Sequence, residues 1–477
     1  MTAVAGGRTV VVVGGGITGL AAAYELSTAE AKPCVVVLEG GDRLGGKVQA
    51  TPFAGLPSVE CGADMFLART PAAVELARDL GLADDLVAPA SLPAYVWSRG
   101  QLHQLPPGLV LGAPARLGPM ARSRLLSWRG KARAAVEPLL PRWHPAGDEG
   151  DTLGLAVRAR FGDEVLDRLV GPLIGGINAG DPDHLSLRAV TPQIADALAA
   201  HRSLLVGLRA QARAASGGPS SGQAPASPFL APRGGVSVLV EQLRTAVTGA
   251  GGEIRTATPV AALERQDGRW IVQTTSGPAI GADAVVLTVP APDAATLLGE
   301  LSPEAATALR TITAASVAMI TLAVPEDAIT RPITASGYLV PRSEQRTITA
   351  CSWGSSKWAE WRLPGQVVRR ISAGRHGDER ALDLGDDDLL KAVLSDLDRH
   401  IGLRGHPTAT RITRWWNAMP QYAPGHVERV DALTATLARD VPGLWPAGAA
   451  YRGLGLPACI AQGRAAARAA LATVGQA

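Results

Sequence analysis

Thr9-Val10-Val11-Val12-Val13 runs without a break into Gly14-Gly15-Gly16-Ile17-Thr18-Gly19, and an apolar, alanine-rich stretch at 20–26 follows. A β-branched run with no polar face is the mark of a strand covered on both sides in a parallel sheet. Gly14, Gly16 and Gly19 then fit G-x-G-x-x-G between strand and helix. The first permits the tight turn, the second lets a pyrophosphate approach the backbone, and the third lets helix pack on strand. The helix would turn the partial positive charge of its N-terminus toward the phosphates. A second apolar strand at 34–38 ends in Glu39, twenty residues past Gly19, where a carboxylate can accept hydrogen bonds from ribose hydroxyls, with Gly40 beside it. These features in register predict a dinucleotide site. The plainer alternative is a tight turn whose acid is a solvated strand end.

The rest of the composition narrows the class. A chain of 477 residues is longer than the roughly 250 to 300 at which one core stops growing, so two or more lobes are expected. Hydrophobic residues at 47% and charged residues at 19% exclude a disordered chain. No stretch reaches the roughly 18 apolar residues of a membrane span, and the amino end carries no signal-like core. The expectation is an unprocessed cytoplasmic protein. Cys34, Cys61, Cys351 and Cys459 lie far apart, giving neither a zinc knuckle nor a disulfide framework, and His103, His184 and His426 have no metal-like spacing. A net charge of +3 does not imply nucleic acid, but with only five lysines among 46 basic residues the chain is rich in arginine, which grips carboxylates.

Segments rich in Ala, Leu and Arg from about 71 to 213, broken by Pro106-Pro107, predict an inserted helical lobe. Residues 214–232 are small, polar and proline-bearing, as in a mobile loop or linker. A helix is expected at 235–248, a strand at 253–260, a hairpin around 263–274 and a buried strand at 284–289. Strand, Gly-rich turn and Ala-rich helix recur from 444. The architecture this implies is α/β: a nucleotide domain in three pieces, 1–70, 233–290 and 425–477, with a helical/substrate lobe at 71–232 and a mixed-sheet substrate domain at 291–424.

Asp42-Arg43-Leu44-Gly45-Gly46-Lys47 resembles the Arg-x-Gly-Gly motif that the flavin amine oxidase superfamily carries near the FAD phosphates, which points to FAD rather than NAD. Three further segments resemble protoporphyrinogen and coproporphyrinogen oxidases. Gly171-Pro172-Leu173-Ile174-Gly175-Gly176-Ile177-Asn178-Ala179-Gly180-Asp181-Pro182, with Leu185-Ser186-Leu187-Arg188, is similar to their substrate-cavity segment. Trp415-Trp416-Asn417-Ala418-Met419-Pro420-Gln421-Tyr422 to His426 is similar to their Met-Pro-Gln-Tyr-x-x-Gly-His stretch. Gly448-Ala449-Ala450-Tyr451-Arg452-Gly453-Leu454-Gly455-Leu456 is similar to their closing flavin segment. Gly62-Ala63-Asp64-Met65 and 102–106 match in the same order. The resemblance implies a Rossmann-type FAD-binding domain with an inserted substrate domain, and adds Arg43, Gly46, Lys47, Gly62 to Met65, Val260, Trp415, Gly448 and Gly453 to Leu456 to the cofactor residues. Val260, at the end of its strand, would hold adenine through its backbone. A helix starting after Gly455 would face the flavin pyrimidine and stabilise its charge on reduction.

The same resemblance implies a porphyrinogen substrate, oxidised by six electrons in three rounds of hydride transfer to flavin, each followed by reoxidation with O2 to hydrogen peroxide. Pyrrole nitrogens shed their own protons, and no catalytic residue stands out in the sequence, which is consistent. Two branches compete: membrane-associated enzymes acting on protoporphyrinogen IX, with two propionates, and soluble bacterial enzymes acting on coproporphyrinogen III, with four. Four carboxylates ask for more cations. Arg69, Arg188 and Arg452 are the candidates, with Gly175, Gly176 and Asn178 against the macrocycle. Asp64 stands where membrane-type enzymes carry an arginine, and this favours coproporphyrinogen III. A basic run, Arg116, Arg122, Arg124, Arg129, Lys131, Arg133 and Arg142, is either a solvated face or a contact for anionic lipid or ferrochelatase. Another flavin amine oxidase, or a non-catalytic porphyrin carrier with a vestigial nucleotide site, are the alternatives. A colourless protein without flavin absorbance would favour the carrier.

Overall fold

The computed structural model describes residues 8–90, 92–145, 147, 150–217, 227–332 and 334–476. Thr9–Val13 is the centre of a five-stranded, fully parallel sheet in the order Glu253–Arg255, Cys34–Leu38, Thr9–Val13, Ala284–Leu287, Leu444–Pro446. Its alternate valines enter two different cores, so neither side can carry a polar residue. Val11 and Val13 pack with Trp270 and Leu287, and Val10 and Val12 with Ala22, Leu26 and Ala467. The helices Ile17–Ser27 and Leu456–Gln476, from opposite ends of the chain, lie against each other. Their contact is close enough that a Cβ on Gly463 would collide with the Thr18 carbonyl.

A second sheet of seven strands runs Ala409–Pro420, Ala314–Pro325, Gln366–Ala373, Ile348–Trp353, Gly337–Leu339, Ala94–Ser98, Gln101–Gln104. The last two strands come from the stretch expected to be helical. Tyr95, Val96 and Trp97 favour a pleated surface, and Arg99 and Gly100, with φ of 53° and 77°, make the tight hairpin between the strands. The helical lobe itself holds Leu153–Phe161, Gly171–Asn178, Pro192–Ala200 and Leu204–Gly217 around Phe161, Leu169, Ile194 and Leu208.

Three other expectations differ from the structure. The strand expected at 253–260 stops at Arg255, Ala257 takes φ 49°, and Val260 opens the next strand rather than ending one. The helix expected from 235 starts at Val238, because Gly234 and Gly235 turn with φ of 89° and 103°. Of the expected linker, residues 218–226 lie outside the described residues. Its end, Phe229–Pro232, is a strand pairing with Phe66–Leu67 and Leu86–Val87. No helix of the described residues is long and apolar enough to cross a membrane.

Candidate active site

The glycine loop is a cradle fixed by backbone contacts. Gly14 N–H donates to Leu38 O and Gly45 N–H to Gly15 O, each 2.8 Å, so the second glycine turn is stitched to the first. A Cβ on Gly19 would strike the Gly14 carbonyl, whereas one on Gly16 would meet nothing nearer than Gly46 Cα at 3.9 Å. Gly16 is also the N-cap of Ile17–Ser27 and gives no side-chain cap, while Ile17 and Thr18 are buried in the first turn. The chain thus keeps room beside uncapped amide groups, which fits a phosphate-bearing cofactor.

Glu39 accepts from Gly15 N–H with Oε2 and from Gly41 N–H with Oε1, both 2.7 Å. Its carbonyl receives Thr258 N–H at 2.8 Å, and Gly40 rests on Pro259, so Glu39 and Gly40 lie beside the two residues that precede Val260. Arg43 folds back over its own turn, donating to Gly46 O at 2.7 Å and Leu44 O at 3.2 Å. Lys47 donates its ammonium to Ala418 O. Protein crowds it enough that burial pushes its pKa below the ordinary lysine range, yet the residue stays solvent-accessible.

The segment after Cys61 forms the opposite wall. Trp415 donates Nε1–H to Cys61 O at 3.1 Å, and its ring lies 3.7 Å from where a Gly62 Cβ would be. Arg370 donates to Gly62 O. Ala63 is exposed and Met65 half-buried, but Asp64 turns inward. Its Oδ2 takes Lys357 Nζ at 2.7 Å and Trp358 Nε1–H at 3.1 Å, with Arg370 Nη1 at 3.4 Å. Burial alone would raise the Asp64 carboxyl, but Lys357 and Arg370 hold it well below the usual carboxylate range. The Asp64 side chain is therefore the centre of a buried ion cluster, while Gly62 is half-buried and Ala63 exposed.

The carboxyl-terminal turn reaches the same place. Thr288 donates its hydroxyl to Val13 O and Gly14 O at 2.9 and 3.0 Å, and Gly448, at φ 138°, lies against the Thr288 carbonyl. Gly453 N–H donates to the Tyr422 hydroxyl at 3.0 Å, and that hydroxyl donates to Ala449 O. Leu454 and Leu456 are half-buried and Gly455 is exposed. Burial pushes the Tyr422 phenol above its ordinary range. His426 stacks on Tyr422 at 4.1 Å and bonds Tyr451 O at 2.8 Å. Gln421 donates to Asn178 O at 3.0 Å. The Met-Pro-Gln-Tyr stretch is thus a bracket between the closing turn and the Gly171–Asn178 helix. The end of that helix carries Ala179 at φ 48°. Gly175 is half-buried, Gly176 is exposed beside Leu339, and Asn178 is buried.

The three expected substrate arginines are not brought to that helix. Arg188 pairs with Glu428 at 3.0 Å, Arg452 pairs with Asp431, both pairs being largely solvent-exposed, and Arg69 is exposed. Neighbouring acids on the helix His426–Asp440 neutralise two of them, which arginine content alone could not reveal. No cluster of three His, Cys, Asp or Glu suited to a metal occurs among the described residues.

The model of the family described as flavin containing amine oxidoreductase matches residues 17–471. The chain belongs to that family. It is 36% identical to the coproporphyrinogen III oxidase of Bacillus subtilis over 97% of each chain. It is 37% identical to the coproporphyrinogen III oxidase of Mycobacterium tuberculosis over 96% of each. A solved structure from Exiguobacterium sp. 255-15, provisionally described as a protoporphyrinogen oxidase, superposes with a TM-score of 0.84 at 32% identity, covering 97% of this chain and 98% of that one. FAD is the cofactor of this flavoenzyme.

Sequence reasoning missed the cations of this flavoenzyme's buried cluster. Lys357 is one of five lysines and sits among Trp353, Trp358 and Trp361, an apolar setting in which a lysine needs a partner. That was the available signal. Arg370 and Glu60 gave none. Glu60 accepts Ser237 N–H at 2.9 Å and leaves Oε2 without a partner, and burial pushes its carboxyl up to about 7.

Proposed function

We propose that this flavoenzyme oxidises coproporphyrinogen III to coproporphyrin III in haem biosynthesis, three O2 being reduced to three H2O2 per macrocycle. The observation that carries the reading is that the closing turn is tied to Tyr422 and, through Thr288 and Gly448, to the glycine loop, in a chain related over 97% of its length to a coproporphyrinogen III oxidase. Bound FAD supplies a two-electron acceptor that O2 regenerates. The chain's part is to hold and orient. Gly14 to Gly19, Glu39, Gly40 and Val260 would take the dinucleotide, with Arg43, Gly46 and Lys47 closing over it. Gly62, Ala63, Met65, Trp415, Gly448 and Gly453 to Leu456 would take the ring system. Gly175, Gly176 and Asn178 would offer a side-chain-poor face to a flat macrocycle. Because pyrrole nitrogens release their own protons, no strong base is required.

Asp64, held by Lys357 and Arg370, leaves no arginine at the position used by the protoporphyrinogen branch, which supports the four-propionate substrate. We place the enzyme in the cytoplasm, in keeping with four free thiols. We assign the basic helical lobe, where Trp128 and Leu139 are exposed, to a transient contact with ferrochelatase. Anaerobic mixing of the yellow protein with coproporphyrinogen III and, separately, with protoporphyrinogen IX tests the assignment by flavin bleaching. Faster bleaching by coproporphyrinogen III is expected. Bleaching by protoporphyrinogen IX alone would reverse the branch, and a protein that carries no flavin would leave only the carrier.

A further inference from the structure

Beside Gly171–Asn178, between that helix and the seven-stranded sheet, lies a cavity of about 220 Å³. Arg375 and Arg342 line it with Gly175 and Gly180, and Arg158 stands at its solvent side. The Arg375 side chain is 5% exposed, and its Nε makes no hydrogen bond. Its ion-pair neighbour, Asp378, is 3.7 Å away and is already held by both arms of Arg380 at 2.7 and 3.1 Å. Arg342 donates to His376 O, and its Nε stands 3.6 Å from Asp181.

The acids around the cavity are otherwise engaged. Arg158 holds Asp163 at 2.7 Å and Asp183 at 3.0 Å, and Asp167 accepts from Ser343 at 2.9 Å, with Arg168 4.0 Å away. The guanidinium groups of Arg375 and Arg342 are therefore left with Asp181 and with Asp378, and Asp378 is shared with Arg380. A guanidinium stays charged at any ordinary pH, and a buried one without a counter-ion is costly. Desolvation and the nearby Arg342 depress the Arg375 pKa, and Asp378, which it shares with Arg380, offsets only part of that.

We infer that this cavity is a carboxylate-binding site, the anion being held by Arg375 with Arg342 beside it. Two sources share that chemistry: a propionate arm of the macrocycle, which rests on the function proposed above, and a free small carboxylate. The arm is consistent with the position of the cavity at the Gly171–Asn178 helix, and with Arg188 and Arg452 being neutralised at the surface. The glycine at 175 removes a side chain where the cavity meets the helix.

The test uses the full-length flavin-loaded protein, with Arg375→Gln and Arg375→Lys beside the wild type. One arm measures coproporphyrin III affinity by tryptophan quenching, and the other measures the melting temperature in sodium propionate against sodium chloride at equal ionic strength. If the macrocycle supplies the carboxylate, Arg375→Gln weakens coproporphyrin III roughly tenfold or more, the loss of a charge-assisted pair, and Arg375→Lys recovers part of it. If a free carboxylate is the ligand, the porphyrin affinity holds, while propionate raises the wild-type melting temperature and not that of Arg375→Gln. Equal behaviour of wild type and Arg375→Gln in both arms overturns the inference. A wild type that ignores coproporphyrin III but shows Arg375-dependent stabilisation by propionate counts against the proposed function and leaves the site standing. Should Arg375→Gln lose its flavin, Arg342→Gln, at a less buried position, is judged by the same two readouts.

Discussion

Lys357→Met isolates the ion cluster around Asp64. The Lys357 and Asp64 side chains are 7% and 11% exposed and 2.7 Å apart. At an effective dielectric of about 20, that separation corresponds to roughly 6 kcal/mol of attraction before the desolvation of both ions is set against it. Removing one partner of a buried pair leaves an uncompensated charge and costs about 3–5 kcal/mol. Arg370 at 3.4 Å and the Trp358 indole still serve Asp64 when the lysine is gone, so the loss falls at the lower end, about 3 kcal/mol. Asp64→Asn leaves two cations facing one neutral amide, so it falls at the upper end, about 5 kcal/mol. Because Asp64 is held below its unfolded range, its contribution is whole above about pH 4 and is lost only as pH falls further, so an assay at pH 7 sees all of it. Urea unfolding followed by tryptophan emission reads each variant, and the double variant completes the cycle. The double variant should be less destabilised than the sum of the singles by at least about 1 kcal/mol. Additive effects, or a Lys357→Met loss under about 1 kcal/mol, would refute the claim that the cluster acts as one buried unit.

Three further outcomes follow from the same geometry. Glu60, pushed up to about 7, binds a proton in the folded chain that the unfolded chain releases above about pH 4.3, so stability should fall between pH 4 and 7. Glu60→Gln should flatten that slope and gain about 3 kcal/mol at pH 8, measured by urea unfolding across pH. Tyr422→Phe deprives both Gly453 N–H and Ala449 O of their partner, so FAD should dissociate faster by roughly 5- to 100-fold, a cost of about 1–3 kcal/mol, read as flavin fluorescence released on dilution. Gly16→Ala, whose methyl meets no protein atom within 3.4 Å, should fold without retaining flavin, whereas Gly19→Ala should fail to fold. Circular dichroism and flavin absorbance separate the two results.

What was legible in the sequence depended on how local its cause is. The Gly14 to Gly19 turn could be read because Gly14 turns at φ 106° and Gly19 packs against the Gly14 carbonyl within the same loop, and the valine run because both its faces meet apolar cores. The roles of Arg188 and Arg452 could not be read, since Glu428 and Asp431, which neutralise them, arrive from elsewhere in the chain. Lys357 meets Asp64 across 293 positions, and Ala94–Ser98 pairs in parallel with Gly337–Leu339, so neither contact leaves a short-range pattern. The linker-like composition before Phe229 concealed a strand, because its pairing partners lie at Phe66–Leu67 and Leu86–Val87.

The five-stranded sheet also fixes an order of events during synthesis. Thr9–Val13 is synthesised more than 400 residues before Leu444–Pro446, yet both belong to one hydrogen-bonded array. A nascent chain therefore carries Ala284–Leu287 with an open edge, and its glycine loop without the helix Leu456–Gln476, until those later segments have been made. A product truncated before residue 444 would therefore leave that edge of Ala284–Leu287 free to pair with another polypeptide.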